Sequence, residues 1–145
     1  MRILALDAGE RRTGVAVSDP AQILARSLLV LKHEDDEGIV ECVAALVRKW
    51  DVERVVVGYP LSLSGGVGPQ AERVEEVACA LRKGLRVPVE LWDERYSTVD
   101  AERILRERGL DGRQRRRRID ATAAAVILQG YLDGRAWRRS RKDES

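Results

Sequence analysis

The first third of the chain alternates short apolar runs with turn residues. Residues 2–7 and 13–18 have the apolar, β-branched character of strands, and 27–31 has the same character. The first two runs are separated only by a tight turn at 9–12. Because such links are too short for a parallel crossover, the pattern predicts three antiparallel strands in succession.

From about residue 39 the spacing of apolar residues becomes helical. One apolar face is formed by Ile39, Val43, Leu46, Val47 and Trp50. The continuous apolar run at 54–59 then predicts a strand that is buried on both faces. A second amphipathic helix follows a Gly/Ser/Pro-rich loop at 60–69 and has its apolar face in 74–81.

The second half continues with one more strand and two helices. Residues 87–91 alternate as a fifth strand, and Pro88 favours a position at the edge of the sheet. A third helix begins after Ser97 or Thr98, which can cap it, and ends near Gly109. The last helix runs from about 117 to 132.

The order of elements predicts an α/β fold of the ribonuclease H-like type. Three hairpin-connected antiparallel strands followed by right-handed βα crossovers give a mixed five-stranded sheet flanked by helices. We expect one domain at 1–133. Residues 134–145 have no periodicity, and we expect a basic, disordered C-terminal tail there.

The composition is that of a soluble globular domain. The chain has 145 residues, of which 44% are hydrophobic and 34% charged, without an apolar run long enough to cross a membrane. We therefore expect a cytoplasmic protein with no membrane partner. Its oligomeric state is expected to be a monomer or a homodimer. Cys42 and Cys79 each lie among apolar helical residues with no nearby ligand pattern, so we expect buried, reduced thiols.

Charge is distributed unevenly along the chain. The formal net charge is +2, but residues 111–145 hold ten basic and five acidic side chains, which leaves the rest of the chain at −3. A basic end on a nearly neutral body favours a polyanionic partner such as nucleic acid.

Four acidic residues lie where the predicted structure does not require them. Asp7 ends the first strand, Asp93 and Glu94 end the fifth, and Asp120 opens the last helix. These elements meet at one edge of the sheet, where ligand sites form in open α/β folds. Carboxylate oxygens are the ligands that Mg²⁺ and Mn²⁺ prefer, whereas zinc would need histidine or cysteine ligands and the chain has a single histidine. We therefore expect one or two Mg²⁺ or Mn²⁺ ions at this site. Each acid also has a structural interpretation as a turn former, a solvated strand end or a first-turn helix residue.

Arginines are placed near the same edge. Arg115, Arg116, Arg117 and Arg118 lie at the start of the last helix, where positive charge is unfavourable unless an anion is bound. Arg11, Arg12 and Arg95 flank the acids. We expect these seven arginines to bind nucleic acid. His33 lies in a charged stretch, and we expect it to be solvated and not catalytic.

Four sequence blocks together resemble the YqgF (RuvX) family of Holliday junction resolvases and pre-16S rRNA nucleases. The blocks are 6–16 (LDAGERRTGVA), 56–61 (VVGYPL) with 68–71 (GPQA), 92–98 (WDERYST) and 119–124 (IDATAA). The resemblance covers about residues 1–133 and implies a ribonuclease H-like fold, in agreement with the element order.

The resemblance also implies an activity and a set of catalytic residues. It implies a metal-dependent endonuclease that processes the 5′ end of pre-16S rRNA or resolves Holliday junctions, with catalytic acids at Asp7, Glu94 and Asp120. Whether Asp93 or Glu94 is the middle ligand stays open, because strand alternation is unreliable at a strand end. The alternative is a non-catalytic nucleic-acid-binding or ribosome-assembly factor with a vestigial site. An ATP-binding role is disfavoured, because the nucleotide-binding folds with a similar first loop need two such domains.

Overall fold

The structure is a computed structural model that describes residues 1–60, 68–93 and 123–144, with side chains described as far as Ala136. Within these ranges it contains five strands and three helices. They are β1 (Arg2–Ala8), β2 (Arg12–Ser18), β3 (Ala25–Lys32), α1 (Asp36–Lys49), β4 (Val52–Tyr59), α2 (Pro69–Gly84), β5 (Val89–Asp93) and α3 (Ala123–Glu144). The predicted third helix, near 98–109, lies outside the described residues.

The strands form one mixed sheet in the order β3-β2-β1-β4-β5. The pairs β1–β2 and β2–β3 are antiparallel, whereas β1–β4 and β4–β5 are parallel. This confirms the predicted sheet and puts β1 at its centre. The strand β5 lies at an edge, as Pro88 indicated.

Two apolar layers hold the helices to the sheet. Helices α1 and α2 pack on one face through a cluster that includes Leu4, Leu6 and Val57. Helix α3 packs on the other face against Ile3, Ala5, Ala16 and Val56. The small side chains on the α3 face let this helix lie close to the strands. The buried run of β4 is completely inaccessible from Val55 to Val57, as the continuous apolar pattern predicted.

The ends of α1 show how local sequence sets the boundaries of an element. Asp35 is the N-cap, and its side chain accepts a hydrogen bond of 2.8 Å from the Gly38 backbone N–H. After the helix, Asp51 adopts a left-handed conformation with φ of 52°. This turn ends α1 and directs the chain into β4.

The C-terminal helix is longer than predicted. We expected it to end near Leu132 and expected a disordered tail at 134–145, but α3 continues to Glu144. A single glycine costs a helix only about 1 kcal/mol, and the arginines and alanine after it favour helix. Gly134 also has a packing role, because a Cβ at this position would lie 3.3 Å from Cη2 of Trp92.

The cysteines are only partly as predicted. Both thiols are free, which confirms that they form no disulfide with each other, but Cys42 is partly exposed and Cys79 is exposed. The buried positions of α2 include Ala78, and the next residue along a helix lies about 100° further around its axis. Cys79 therefore turns away from the core.

No helix in the described ranges has both the length and the apolar character needed to cross a membrane.

Candidate functional site at the edge of the sheet

Asp7 lies near the end of the central strand β1, on the face covered by α3. Asp7 is half-buried, and this burial raises the pKa of its carboxyl above the ordinary value. A Cβ built on Gly14, its partner on β2, would lie 3.8 Å from the Asp7 Cβ and 3.7 Å from the Ala124 Cβ. The carboxylate therefore points into the space where the described part of α3 begins.

Glycines lie beside Asp7 on both neighbouring strands. Gly14 pairs with it across β2. On the other side Leu6 pairs with Val57, so the next residue of β4, Gly58, comes beside Asp7. Among the described residues, neither neighbouring strand therefore places a side chain beside this partly desolvated carboxylate. A partly buried, unhindered carboxylate is a suitable ligand for a hard cation.

Asp93 lies on the opposite face of the sheet from Asp7. It pairs with Tyr59, which packs against the α1 and α2 layer. Its predecessor Trp92 packs on the α3 layer instead. Asp7 and Asp93 thus lie at the same edge of the sheet but on different sides of it.

The other predicted acids and most of the predicted arginines lie outside the described residues. These are Glu94, Arg95, Asp120 and the run Arg115, Arg116, Arg117 and Arg118. Within the part of the chain that the structure describes, no three His, Cys, Asp or Glu side chains come close enough to hold a metal ion.

Arg11 and Arg12 lie at the turn between β1 and β2, and both are exposed. They line a cleft of about 540 Å³, together with Lys32, His33, Glu34 and Asp35. Lys32 was missed in the sequence analysis. Its signal is the extension of β3 by one residue, which makes Lys32 the cross-strand partner of Arg12.

His33 is buried, not solvated as predicted. Its Nε2 lies 2.7 Å from Thr13 Oγ1, and its backbone N–H donates to the Arg11 carbonyl at 3.0 Å. Burial lowers the pKa of the imidazole, and the Arg73 guanidinium lowers it further, against opposing effects of Asp36 and Asp35. The prediction failed because the contact with Thr13 is long-range and leaves no local pattern.

A second cleft, of about 580 Å³, lies between the β1–β2 turn and the start of α2. Its charged lining residues are Glu10, Glu72, Arg73 and Glu76. Arg73 is already paired with Asp36 at 2.6 Å and with Glu76 at 3.7 Å. This excess of carboxylates disfavours phosphate at the N-terminus of α2, where Gly68 is the N-cap.

Comparison with known proteins identifies the family. The model of the family described as RuvX, Holliday junction resolvase, matches residues 1–134. The chain belongs to the RuvX family. The resemblance seen in the four sequence blocks is thereby confirmed.

Relatives of this RuvX-family chain match over nearly their whole length. A protein of Anaeromyxobacter sp. strain Fw109-5 is 47% identical over 135 residues, which is 93% of this chain and 98% of that protein. One from Halothermothrix orenii is 43% identical over 133 residues, covering 92% and 95%. Both are named "Putative pre-16S rRNA nuclease".

The fold is also found among solved structures. RuvC of T. thermophilus, solved in complex with a Holliday junction substrate, has a TM-score of 0.63 and 17% identity. The match covers 94% of this chain and 96% of that one. At this identity the similarity concerns the fold, and it confirms the ribonuclease H-like prediction.

Proposed function

We propose that this chain is an endonuclease that hydrolyses phosphodiester bonds in structured nucleic acid with the help of Mg²⁺ or Mn²⁺. The observation that carries the proposal is Asp7, a half-buried carboxylate near the end of the central strand with a glycine beside it on each neighbouring strand. A carboxylate in such a place raises the free energy of the folded protein unless a cation binds it. The names of the RuvX relatives support the same activity.

Chain connectivity supports Asp120 as a second ligand. It lies three residues before Ala123, so its Cα is within about 11 Å of the Ala123 Cα. Ala124 in turn lies beside Asp7 across the space above Gly14. Chain connectivity therefore allows Asp120 to reach the Asp7 carboxylate.

Strand alternation supports Glu94 over Asp93 as the third ligand. Strands β1 and β5 are separated only by β4, which corresponds to roughly 10 Å across the sheet. Trp92 is on the face of Asp7, and Asp93 is on the other. If the alternation continues for one residue, Glu94 returns to the face of Asp7. We propose Asp7, Glu94 and Asp120 as the metal-binding acids, with Asp93 outside the set.

The chain's own side chains would prepare the site for a charged substrate. Divalent ions bound by carboxylates activate water for attack on phosphorus and stabilise the leaving oxygen. The acids hold the ions, and the partly desolvated setting of Asp7 strengthens its attraction for them. Arg11, Arg12, Arg95 and the run 115–118 would neutralise phosphates around the scissile bond.

The proposed substrate is the 5′ end of precursor 16S rRNA or a four-way DNA junction. Phosphate contacts position either nucleic acid and do not distinguish them. The relatives' names favour the rRNA precursor, and the family description favours the junction.

Cleavage assays with the purified chain test the proposal. Both substrates are offered with Mg²⁺ or with Mn²⁺, and we expect Asp7→Asn, Glu94→Gln and Asp120→Asn each to reduce cleavage by at least 100-fold. Asp51→Asn is the matched control, because Asp51 precedes β4 at the opposite end of the parallel strands and asparagine tolerates its left-handed φ. Asp93→Asn should retain activity.

Two results would contradict the proposal. Asp7→Asn cleaving as well as the parent would remove Asp7 from the site. Tight binding of nucleic acid with no cleavage by the parent in either metal would instead support the alternative, a binding or ribosome-assembly factor. Calorimetric titration with Mn²⁺ distinguishes a nuclease from a binding factor with a vestigial site, because the vestigial site would bind no metal.

A further inference from the structure

Arg12 and Lys32 face each other across the antiparallel strands β2 and β3. The neighbouring backbone bond runs from the His33 N–H to the Arg11 carbonyl, so the Arg12–Lys32 pair is of the non-hydrogen-bonded kind. In such pairs the Cα atoms are only about 4.5 Å apart and the side chains come closest. Two cations are thus held side by side at the end of two strands.

Two cations directly opposite each other destabilise a sheet unless an anion lies between them. Among the described residues, neither Arg12 nor Lys32 takes part in an ion pair. Asp35, in the same cleft, already accepts the Gly38 N–H as the N-cap of α1. Glu34, the other acid of the cleft, makes no ion pair with them. The pair therefore retains its charge for a ligand from outside.

The cation pair lies on the face of the sheet that carries Asp7. Gly14 on β2 faces α3, and Arg12 is two residues before it, so Arg12 and its partner Lys32 point to the same side. Two residues along a strand correspond to about 6.7 Å. This is the spacing along β2 between Arg12 and Gly14, the cross-strand partner of Asp7.

Among the described residues, Ala124 of α3 lies above Gly14, and the sheet beyond it towards β3 is exposed. Gly14 has no side chain, and its partner on β3, Val30, is 51% exposed. The paired residues Asp7, Gly14 and Val30 form a row across the sheet, and Arg12 and Lys32 lie beside this row. An exposed valine here offers an apolar contact to a sugar or base.

We propose that Arg12 and Lys32 together bind one backbone phosphate of a nucleic-acid strand that extends from Asp7, past Ala124 on the side of the Arg12–Lys32 pair, towards the β3 edge of the sheet. The proposal rests on the proposed nuclease function and adds to it a direction and a new contact residue, Lys32. A bound phosphate would also offset the repulsion between two cations in a close cross-strand pair.

Salt-dependent binding tests the phosphate contact apart from catalysis. Binding of a labelled four-way DNA junction is measured in a chelating buffer, where no cleavage occurs, for Arg12→Gln, Lys32→Gln and the double variant. We expect the double variant to bind about tenfold more weakly and its slope of log K against log salt to be smaller by about 0.9, one phosphate contact on duplex DNA. Each single variant should lose part of this.

Arg26→Gln is the matched control. Arg26 is an exposed cation on the same strand β3, six residues from Lys32, and it should leave the slope unchanged. Melting temperatures verify folding, since Arg26 also contacts the Trp50 ring. Slopes for the double variant equal to those of Arg26→Gln would overturn the phosphate contact. This outcome is distinct from failure of the nuclease proposal, because it does not depend on cleavage by the parent or by Asp7→Asn.

Photocrosslinking tests the direction of the strand. A photoreactive amino acid in place of Val30 should capture the labelled junction, and the same residue in place of Ile23 should not. Ile23 is 50% exposed and lies two residues before β3 begins, so the two positions are matched in exposure. Equal capture at both positions, or capture only at Ile23, would overturn the proposed path.

Discussion

The side chains of Thr13 and His33 share a buried hydrogen bond, with Oγ1 and Nε2 2.7 Å apart. It joins the start of β2 to the loop between β3 and α1. The backbone bond from the His33 N–H to the Arg11 carbonyl lies beside it. Together these bonds fix the strand ends that hold Arg12 opposite Lys32, so a contact on the α1 side of the sheet maintains a cation pair on the α3 side.

We expect the imidazole of His33 to titrate below its ordinary pKa of about 6.5, because burial disfavours its charged form. The unfolded chain then binds a proton more readily than the folded one. Stability is therefore complete above about pH 6.5 and falls as the pH decreases towards the lower folded pKa. His33 is the chain's single histidine, so one NMR signal reports its titration.

Melting temperatures between pH 7.5 and 5 provide the second measurement. The parent should lose more stability over this range than His33→Gln, which has no group that titrates there. Parallel curves for the two proteins, or an NMR midpoint at or above 6.5, would contradict the prediction.

Removing the charge of Asp7 should stabilise the metal-free protein at neutral pH. Burial raises the pKa of this carboxyl, so ionisation favours the unfolded chain, and the parent loses stability as the pH rises through the raised pKa. We expect Asp7→Asn to melt at a higher temperature than the parent at pH 7 in a chelating buffer, and the difference to vanish near pH 3. Asp51→Asn should show no such gain.

Gln129 should be required for stability although it lies far from the acids. It is 1% exposed, its Oε1 accepts the Ala25 N–H at 2.9 Å and its Nε2 donates to the Ile23 carbonyl at 2.9 Å. We expect Gln129→Leu to reduce the free energy of unfolding by about 1–3 kcal/mol, because these backbone groups lose their partner. Denaturant titration measures the loss. A cost no larger than that of Gln70→Leu, at an exposed glutamine of α2, would be inconsistent with this role.

The contact between α1 and α2 should not tolerate a larger residue at Gly84. A Cβ at this position would overlap Cγ1 of Val40, so Gly84→Ala forces the two helices apart. We expect a loss of about 1–3 kcal/mol, as is usual for overpacking. Combining it with Val40→Ala should recover part of the loss in a double-mutant cycle. Gly68→Ala, with open space around the added Cβ, is the control.

Features set by local pattern were predicted correctly. The continuous apolar run of β4 and the helical stripe beginning at Ile39 both lie where expected. The number of buried faces of a strand or helix determines the spacing of its apolar residues, so these elements can be read from the sequence. The position of Asp7 at the end of the central strand followed from the same reasoning.

Features that depend on distant partners were not predictable. The burial of His33 depends on Thr13, and the burial of Gln129 depends on backbone groups more than a hundred residues earlier. The helix beyond Gly134 continues across a residue that normally favours a helix end. That Asp93 lies on the face away from Asp7 required the register of β5 on β4.

The face of the sheet that carries Asp7 is covered by α3, which is synthesised more than a hundred residues after β1. During elongation, Ile3, Ala5 and Val56 therefore have no helix over them, and this side of the sheet cannot close. If the proposed function is correct, Asp7 needs Asp120, from the segment just before that helix, to complete the metal site. An unfinished chain that lacks this segment would then have an incomplete set of acids and no metal-dependent cleavage.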